Sequence, residues 1–517
     1  MLDVMTIPPD PLTRQASSLC EFSEEPSSFA LGSSHKSYKQ QFSNIYFMRL
    51  RQLRGAVEQQ AQSRWKDVDG SPNLVPRVLE VVKNHTCYIV GTVYLEMPLK
   101  PNVLEDVSRD RSIPAPPARE KFFSADDAVM LEDESGRIQL VGDVVTRELE
   151  EFSSGNMANL LVTGVIMAAL GRETASGEFQ VVDICFAGMA PMLVKSPSKD
   201  DADDMAVDGS EAAGDDWVAV VSGLEISASS SSESEINDLE LHMQMLVEYL
   251  SCEAGGPEDQ LAASRISRMF VAGNSLASSD ANQPQGTTSN AEPEKRTKRF
   301  GQDAPTFSSG PTQALSSFLQ DAAEIMPVHL LPGASDPLGS LMPQQPFPRG
   351  MFGVLKDNKG FTCETNPVWL ALESTPPNAK PDEERPRSIL IHSGQPIDDM
   401  YKYVPSSSIE ARLHLACATL QWRHMAPTAP DTLWCYPYFN ADPFIMKGTP
   451  DVLFVGCQPA FATCLMRGDE EGDQEISEED ARCRVVLVPK FSETGTVVLV
   501  NLRNLDVKTV TFGTKIG

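Results

Sequence analysis

The chain has 517 residues, 41% of them hydrophobic, enough for several packed cores, and its 72 acidic against 43 basic side chains give a formal charge of −29. So acidic a chain repels phosphate backbones, which excludes tight, direct nucleic-acid binding by the protein alone. The ten cysteines form no CxxC pair, no basic-then-apolar leader is visible, and no run of about 18 apolar residues occurs. Secretion, a disulfide framework and a membrane span are therefore not expected, leaving cytosol or nucleus.

In chain order, the Ser- and Pro-rich stretch 1–35 reads as disordered. From 36 to 65, Tyr38, Phe42, Ile45, Tyr46, Met48, Leu50, Leu53 and Val57 recur at helical spacing. This predicts an amphipathic helix within a helical segment 36–84, packed on its own domain rather than offered to a partner. Residues 85–194 change to strands at 87–97, 128–131, 138–141, 160–169 and 179–186, with turns at Glu134-Ser135-Gly136 and Ser176-Gly177. Five short strands in this length predict a small barrel, an OB fold. Its 17 acidic and eight basic residues carry the wrong sign for a DNA groove, which favours contact with protein.

The stretch 195–216 is predicted to be an acidic linker, its residues 196–216 holding eight acids and one lysine. Beyond it, apolar strands at 217–221, 266–272, 328–331, 388–392 and 451–455, with a helix at 236–249, follow α/β grammar. Runs at 484–489, 497–502 and 508–512 read as antiparallel closing strands. Two polar inserts, 274–306 and 468–482, interrupt this domain, which extends over 217–517. The first contains the basic run Lys295, Arg296, Lys298 and Arg299, equally compatible with an import signal and a solvated loop.

Five loops follow the apolar strands: Ser222-Gly223-Leu224-Glu225, Gly273-Asn274, Gly333-Ala334-Ser335-Asp336, Ser393-Gly394 and Gly456-Cys457-Gln458-Pro459. Their order resembles that of the metal-binding loops of calcineurin-like phosphoesterases, where Asp, His and Asn side chains clamp two metals over a phosphate. The resemblance puts Gly223 where that family has Asp and Glu225 where it has His. Ala334, Ser335, Ser393, Cys457 and Pro459 likewise stand at ligand positions, and only Glu225 and Asn274 keep a donor for a hard cation. No dinuclear site can be assembled from these. His392 precedes Ser393 by one residue, which on a strand turns it to the opposite face, and reads as a structural histidine. Cys457 reads as a buried free thiol.

The stretch 420–445, LQWRHMAPTAPDTLWCYPYFNADPFI, is the most specific in the chain. Pro427, Pro430 and Pro437 fix turns, Asp431 can bond turn amides, and Trp422, Trp434, Tyr436, Tyr438 and Phe439 predict a packed aromatic cluster. With IVGTVYLEMPLKPNVLEDVSRD at 89–110, LLPGASDP at 330–337 and VNLRNL at 500–505, this stretch resembles the second-subunit family of DNA polymerase delta over roughly 36–512. ILIHSGQPIDD at 389–399 is also similar to the small subunit of archaeal family D polymerase, which carries an active exonuclease.

The resemblance implies an OB-fold barrel joined to a degenerate calcineurin-like α/β sandwich, in a nuclear, non-catalytic scaffold with no metal or cofactor of its own. It implies that the chain holds the C-terminal metal domain of the polymerase delta catalytic subunit, where an iron-sulfur cluster would reside. It also implies binding to a third, extended subunit, so that sliding clamp and DNA are reached indirectly. The competing expectations are an active metal-dependent phosphoesterase or nuclease, and the equivalent subunit of polymerase alpha or epsilon.

Overall fold

The computed structural model describes residues 12–14, 17–22, 26–32, 39, 42–68, 72–101, 119–146, 157–193, 215–227, 233–278, 309–374, 386–467 and 482–513. The basic run Lys295, Arg296, Lys298 and Arg299, the acids of 469–480 and all but the last two residues of the acidic linker lie outside them.

In chain order the strands are β1 (Ser17–Cys20), β2 (Asn73–Val75), β3 (Cys87–Glu96), β4 (Ala128–Glu132), β5 (Arg137–Val141), β6 (Ile166–Glu173), β7 (Phe179–Cys185), β8 (Trp217–Val221), β9 (Ile266–Ala272), β10 (Val328–Leu331), β11 (Phe361–Cys363), β12 (Val368–Ser374), β13 (Arg387–His392), β14 (Val452–Gln458), β15 (Ala462–Arg467), β16 (Arg482–Pro489), β17 (Thr496–Asn501) and β18 (Val507–Thr511). The helices that position the sites are α1 (Ser43–Trp65), α2 (Glu233–Leu250), α3 (Pro257–Ser264), α4 (Ser309–Ile325), α5 (Gln395–Tyr401) and α6 (Ile409–Trp422).

Strands β3, β4, β5, β7 and β6 pair in that order, and β6 returns to β3, so the sheet closes into a barrel. All these pairings are antiparallel except β5 with β7. Closure leaves no free edge, and alternation sends Val129, Leu131, Ile138 and Leu140 inward. Helix α1 lies outside the barrel. Its residues Leu50, Leu53, Val57, Ala61 and Trp65 recur every three or four positions and pack on Tyr88, Val90, Ile166, Ala168 and Leu170.

The other two sheets each have six strands, ordered β1-β12-β13-β14-β16-β15 and β11-β10-β9-β8-β17-β18. Their central strands are parallel and buried along their whole length, which is why they read as unbroken apolar runs. One shared core joins Val218, Val220 and Phe270 of one sheet to Ile389, Ile391, Phe454 and Val486 of the other. The outer face of the β8 sheet is covered by α2 and α4 through Leu246, Leu250, Leu315 and Phe318. The outer face of the β14 sheet is covered by α6 through Leu415, Leu420 and Trp422, and the same apolar cluster continues into the barrel at Leu95, Leu131 and Phe179. Barrel and sheets are one packed body.

Several expectations are corrected. The stretch 1–35 is not wholly disordered: Ser17–Cys20 pairs antiparallel with β12, Arg14 donates to the Ala263 carbonyl at 2.9 Å, and Phe29 is buried. Strand β16 does not close a sheet antiparallel but runs parallel to β14 in its interior. Its antiparallel neighbour is β15, which the sequence hid because half-exposed ATCLMR lacks a buried apolar run. Residues 160–165 are not strand; the chain turns at Gly164 (φ 95°) before β6 begins at Ile166. Residues 274–278, expected in an insert, are packed, and Leu276 bridges to Ile226. Asp215 and Asp216, expected in the linker, belong to the fold, Asp215 pairing with Arg265 at 3.2 Å and the Asp216 carbonyl accepting from Leu502 N–H at 2.8 Å.

Candidate functional site

Four loops and the end of β14 converge at one end of the two sheets; the segment expected as the fifth loop is corrected, since β14 runs on to Gln458 through an irregularity at Cys457 (φ 55°). Gly223 N–H donates to the Gly273 carbonyl and Glu225 N–H to that of Asn274, both at 2.9 Å, which ties the first loop to the second. Asn274 Oδ1 accepts from Ser335 N–H at 3.1 Å, tying the second to the third. Ser393 of the fourth loop touches the second at Gly273, where the positive φ of 88° and an added Cβ overlapping the Ser393 side chain leave room only for glycine. Cys457 N–H at the end of β14 donates to Ser222 Oγ at 2.8 Å. The loop order expected from the sequence is thus a true spatial cluster.

Its chemistry is neutral. Asn366, which the sequence did not single out, donates to Ser393 Oγ at 2.6 Å, Gln344 Oε1 at 2.8 Å and Gln395 Oε1 at 2.7 Å, and its Oδ1 accepts from Ser393 N–H at 3.0 Å. Gln395 donates to Gln344 at 2.9 Å, and Gln344 to the Gly333 carbonyl at 2.9 Å. These amides and one hydroxyl satisfy one another in a buried network, and such a network rigidifies when every member is paired.

The remaining charged groups are already engaged. Asp336 is buried, its two carboxylate oxygens accepting from Leu276 N–H at 2.8 Å and Gly333 N–H at 2.7 Å. Burial raises its pKa to about 6 against the opposing pull of those backbone donors, and its two hydrogen bonds make it a loop staple. Glu225 is half-buried and paired with Lys490 Nζ at 3.2 Å, so an ammonium already sits beside the one acidic ligand candidate. Cys457 is buried with its thiol facing the Ala272 carbonyl at 3.6 Å, and burial holds the thiol well above its ordinary value. His392 is buried, its Nδ1 accepts from Gly394 N–H at 3.2 Å, and burial lowers its pKa to about 4. Ala334 and Pro459 are exposed and bring no donor side chain. Among the described residues no group of three or more His, Cys, Asp or Glu is placed to hold a metal ion. A dinuclear centre needs several anionic or imidazole donors, and this set does not fit one.

Beside the cluster, a groove of about 1130 Å³ opens between α2 and α4 from Glu225, with Met243, Val247 and Phe318 on its floor. Glu240, Glu248 and Asp321 also line it, so its charge repels phosphate.

A second region, at the barrel junction, carries the buried charge. Arg49 points from α1 into the protein, fully buried, and donates to Asp442 Oδ2 at 2.8 Å. It also donates to the carbonyls of Gly164 in the barrel at 3.1 Å, Pro427 at 2.6 Å and Ala429 at 2.7 Å. His424 meets the same Asp442 oxygen at 2.8 Å, and its Nδ1 accepts from Ala426 N–H, which assigns the proton to Nε2. Burial, and then the Arg49 charge, lower the His424 pKa to about 4. Burial alone would raise Asp442, but pairing with His424 and Arg49 outweighs it and holds the carboxylate ionised.

Around this centre the barrel and sheets are stitched together. Lys100 pairs with Asp431 at 2.5 Å, Arg423 donates to the Gly188 carbonyl at 2.8 Å, and Thr449 Oγ1 to that of Ala190 at 2.6 Å. Lys121 donates to the carbonyls of Tyr401 and Ser406, both at 2.7 Å. The stretch 420–445 therefore acts as the mortar of the junction. Its aromatics divide, however: Trp422 and Tyr436 are buried, whereas Trp434 and Phe439 are 66% and 56% exposed, so the expectation of one packed cluster is corrected. Burial depends on which face of the loop each ring occupies, and the spacing did not reveal that.

Comparison with known proteins covers both regions. Residues 41–184 match the DNA polymerase delta subunit OB-fold domain, and residues 218–463 match the B-subunit family of DNA polymerase alpha/epsilon. These two matches, over the barrel and over most of the two-sheet layer, are to B-type subunits of DNA polymerases. The chain is 33% identical to the DNA polymerase delta small subunit of Oryza sativa subsp. japonica, covering 92% of this chain and 94% of the relative. It is 30% identical to the DNA polymerase delta small subunit of Saccharomyces cerevisiae (93% and 91%) and 30% identical to DNA polymerase delta subunit 2 of Drosophila melanogaster (92% and 94%). The chain belongs to the DNA polymerase delta small-subunit family.

Proposed function

We propose that this accessory subunit of DNA polymerase delta is a non-catalytic scaffold, working in the nucleus. In this reading the layer 217–513 is a calcineurin-like sandwich whose site has lost its chemistry, and the barrel, near 85–194, is a protein-contact module. The observation that carries it is the loop cluster itself. Amides, a serine, glycines and a Lys490–Glu225 pair occupy the strand ends where in-line phosphoryl displacement needs metals and charged donors.

The scaffold bridges the C-terminal metal domain of the catalytic subunit and a third, clamp-binding subunit; the iron-sulfur cluster belongs to the catalytic chain. The exposed Trp434 and Phe439 supply the anchors for the catalytic subunit, since aromatic side chains dominate binding energy at interfaces and these two stand exposed on the junction loop.

The rival reading, an active metal-dependent nuclease, is tested by incubating the purified chain with manganese and either bis-p-nitrophenyl phosphate or single-stranded DNA. No turnover above a metal-only control is expected. Metal-dependent hydrolysis that vanishes in Asn274→Ala would overturn the proposal.

A further inference from the structure

Helix α6 and strand β15 bring two thiols together away from both regions described above. Cys417 Sγ and Cys464 Sγ lie 2.9 Å apart, and all ten cysteines are free. A disulfide needs about 2.05 Å, so less than about 1 Å of sulfur movement separates the pair from a bond. Cys417 is buried in the apolar cluster under α6, whereas Cys464 is half-exposed on the last strand of its sheet. The pair is thus reachable from one side only.

We propose that Cys417 and Cys464 form a modification site, a dithiol that a hydroperoxide converts to an intrachain disulfide tying α6 to β15. The two sulfurs are not equivalent. The hydrogen bond from Cys417, together with the nearby Arg484 charge, favours the thiolate at Cys464 despite partial burial. The same hydrogen bond and burial hold Cys417 as the thiol. Cys464 is therefore the attacking group, because the thiolate is the nucleophile.

Its sulfur attacks the peroxide; an S–O bond forms, the O–O bond breaks, and the leaving alkoxide or hydroxide takes a proton. Cys417 sulfur then attacks the Cys464 sulfenic acid; the S–S bond forms, the S–O bond breaks, and water leaves with the Cys417 proton. Two thiols are oxidised by two electrons, and the hydroperoxide is reduced to an alcohol, or water, plus water. In a reducing compartment such a bond is transient and reversed by thiol exchange. Cys483, on the strand beside β15, is fully buried among Val485 and Leu487 and is a spectator.

The test treats the full-length chain with hydrogen peroxide, blocks remaining thiols after denaturation and maps peptides without reduction. A Cys417–Cys464 linked peptide is expected, lost on dithiothreitol treatment, with the other eight cysteines still alkylated. The linked form should also unfold at higher denaturant than the reduced form. In Cys417→Ala the resolving thiol is gone, and Cys464 should instead be trapped as a dimedone adduct. Should that variant not fold, Cys464→Ala at the half-exposed position must leave Cys417 fully alkylatable after peroxide. A Cys464–Cys483 link, uniform oxidation of all ten thiols, or Cys464 sulfinic acid without any cross-link would overturn the proposal.

Discussion

The loop cluster and the barrel junction are both built from segments far apart in sequence, yet they treat charge in opposite ways. At the loop cluster, where a phosphoesterase would concentrate charge, the protein places amides that satisfy one another, and each remaining ionised group already has a partner. At the junction, where an ordinary core would suffice, it buries a full ion pair with an imidazole on the same carboxylate. A buried ion pair contributes little net stability over an apolar replacement but penalises any arrangement that separates its partners. The junction therefore specifies how barrel and sheets sit, and the loop cluster specifies only local shape.

That contrast is broken most directly at Arg49. Arg49→Leu leaves Asp442 buried without its cation and frees three carbonyls, which should cost about 3–5 kcal/mol. Urea unfolding should show the loss, whereas Asn274→Ala should cost about 1 kcal/mol for one hydrogen bond. Equal losses for the two variants would erase the distinction. A loss below that of Arg49→Leu is expected within the loop cluster at Asn366→Ala, which orphans the Ser393 amide and takes one of two donors from the Gln344 and Gln395 carbonyl oxygens, and should cost about 1–3 kcal/mol without altering polymerase assembly.

The histidines sharpen the comparison through pH, since His424 belongs to the junction and His392 to the loop cluster. Both titrate near 4 in the folded chain but near 6.5 when unfolded. Between those values the unfolded state binds more protons, so stability is retained above about pH 6.5 and lost as pH falls toward 4. Each histidine should contribute a slope of up to about 1.4 kcal/mol per pH unit. Denaturation followed across this window should lose about one proton's worth of slope in His392→Gln and in His424→Gln. An unchanged slope in His424→Gln would mean that His424 is not held neutral beside Asp442.

Much of this was legible beforehand, for identifiable reasons. Strands β8, β9, β10 and β13 announce themselves because burial on both faces demands unbroken apolar runs, as in WVAVV and ISRMFVA. The first four loops could be located because they follow those strands directly, and the fifth segment because it ends the equally apolar β14. The amide network could not, since Asn366 and Gln344 lie outside the loops and meet Ser393 only through the fold. Arg49 was hidden for the opposite reason: in a helix rich in arginine and glutamine, one more arginine looks solvated, and only its position four residues after Ile45 and before Leu53 hints that it faces inward. Strand β1 was missed because four residues of SSLC carry little periodicity without their β12 partner.

The central claim is that the junction loop, and not the loop cluster, is the working surface of this subunit. Its most direct test is the affinity of the full-length chain for the polymerase delta catalytic subunit, compared between Trp434→Ala/Phe439→Ala and Glu225→Gln/Asn274→Ala. Loss of the two exposed aromatics should weaken binding at least about tenfold, equivalent to about 1.4 kcal/mol, with the unfolding midpoint unchanged. The loop-cluster pair should bind as tightly as the unaltered chain, and the reverse pattern, with Glu225→Gln/Asn274→Ala weakened and the aromatic pair intact, would contradict the account.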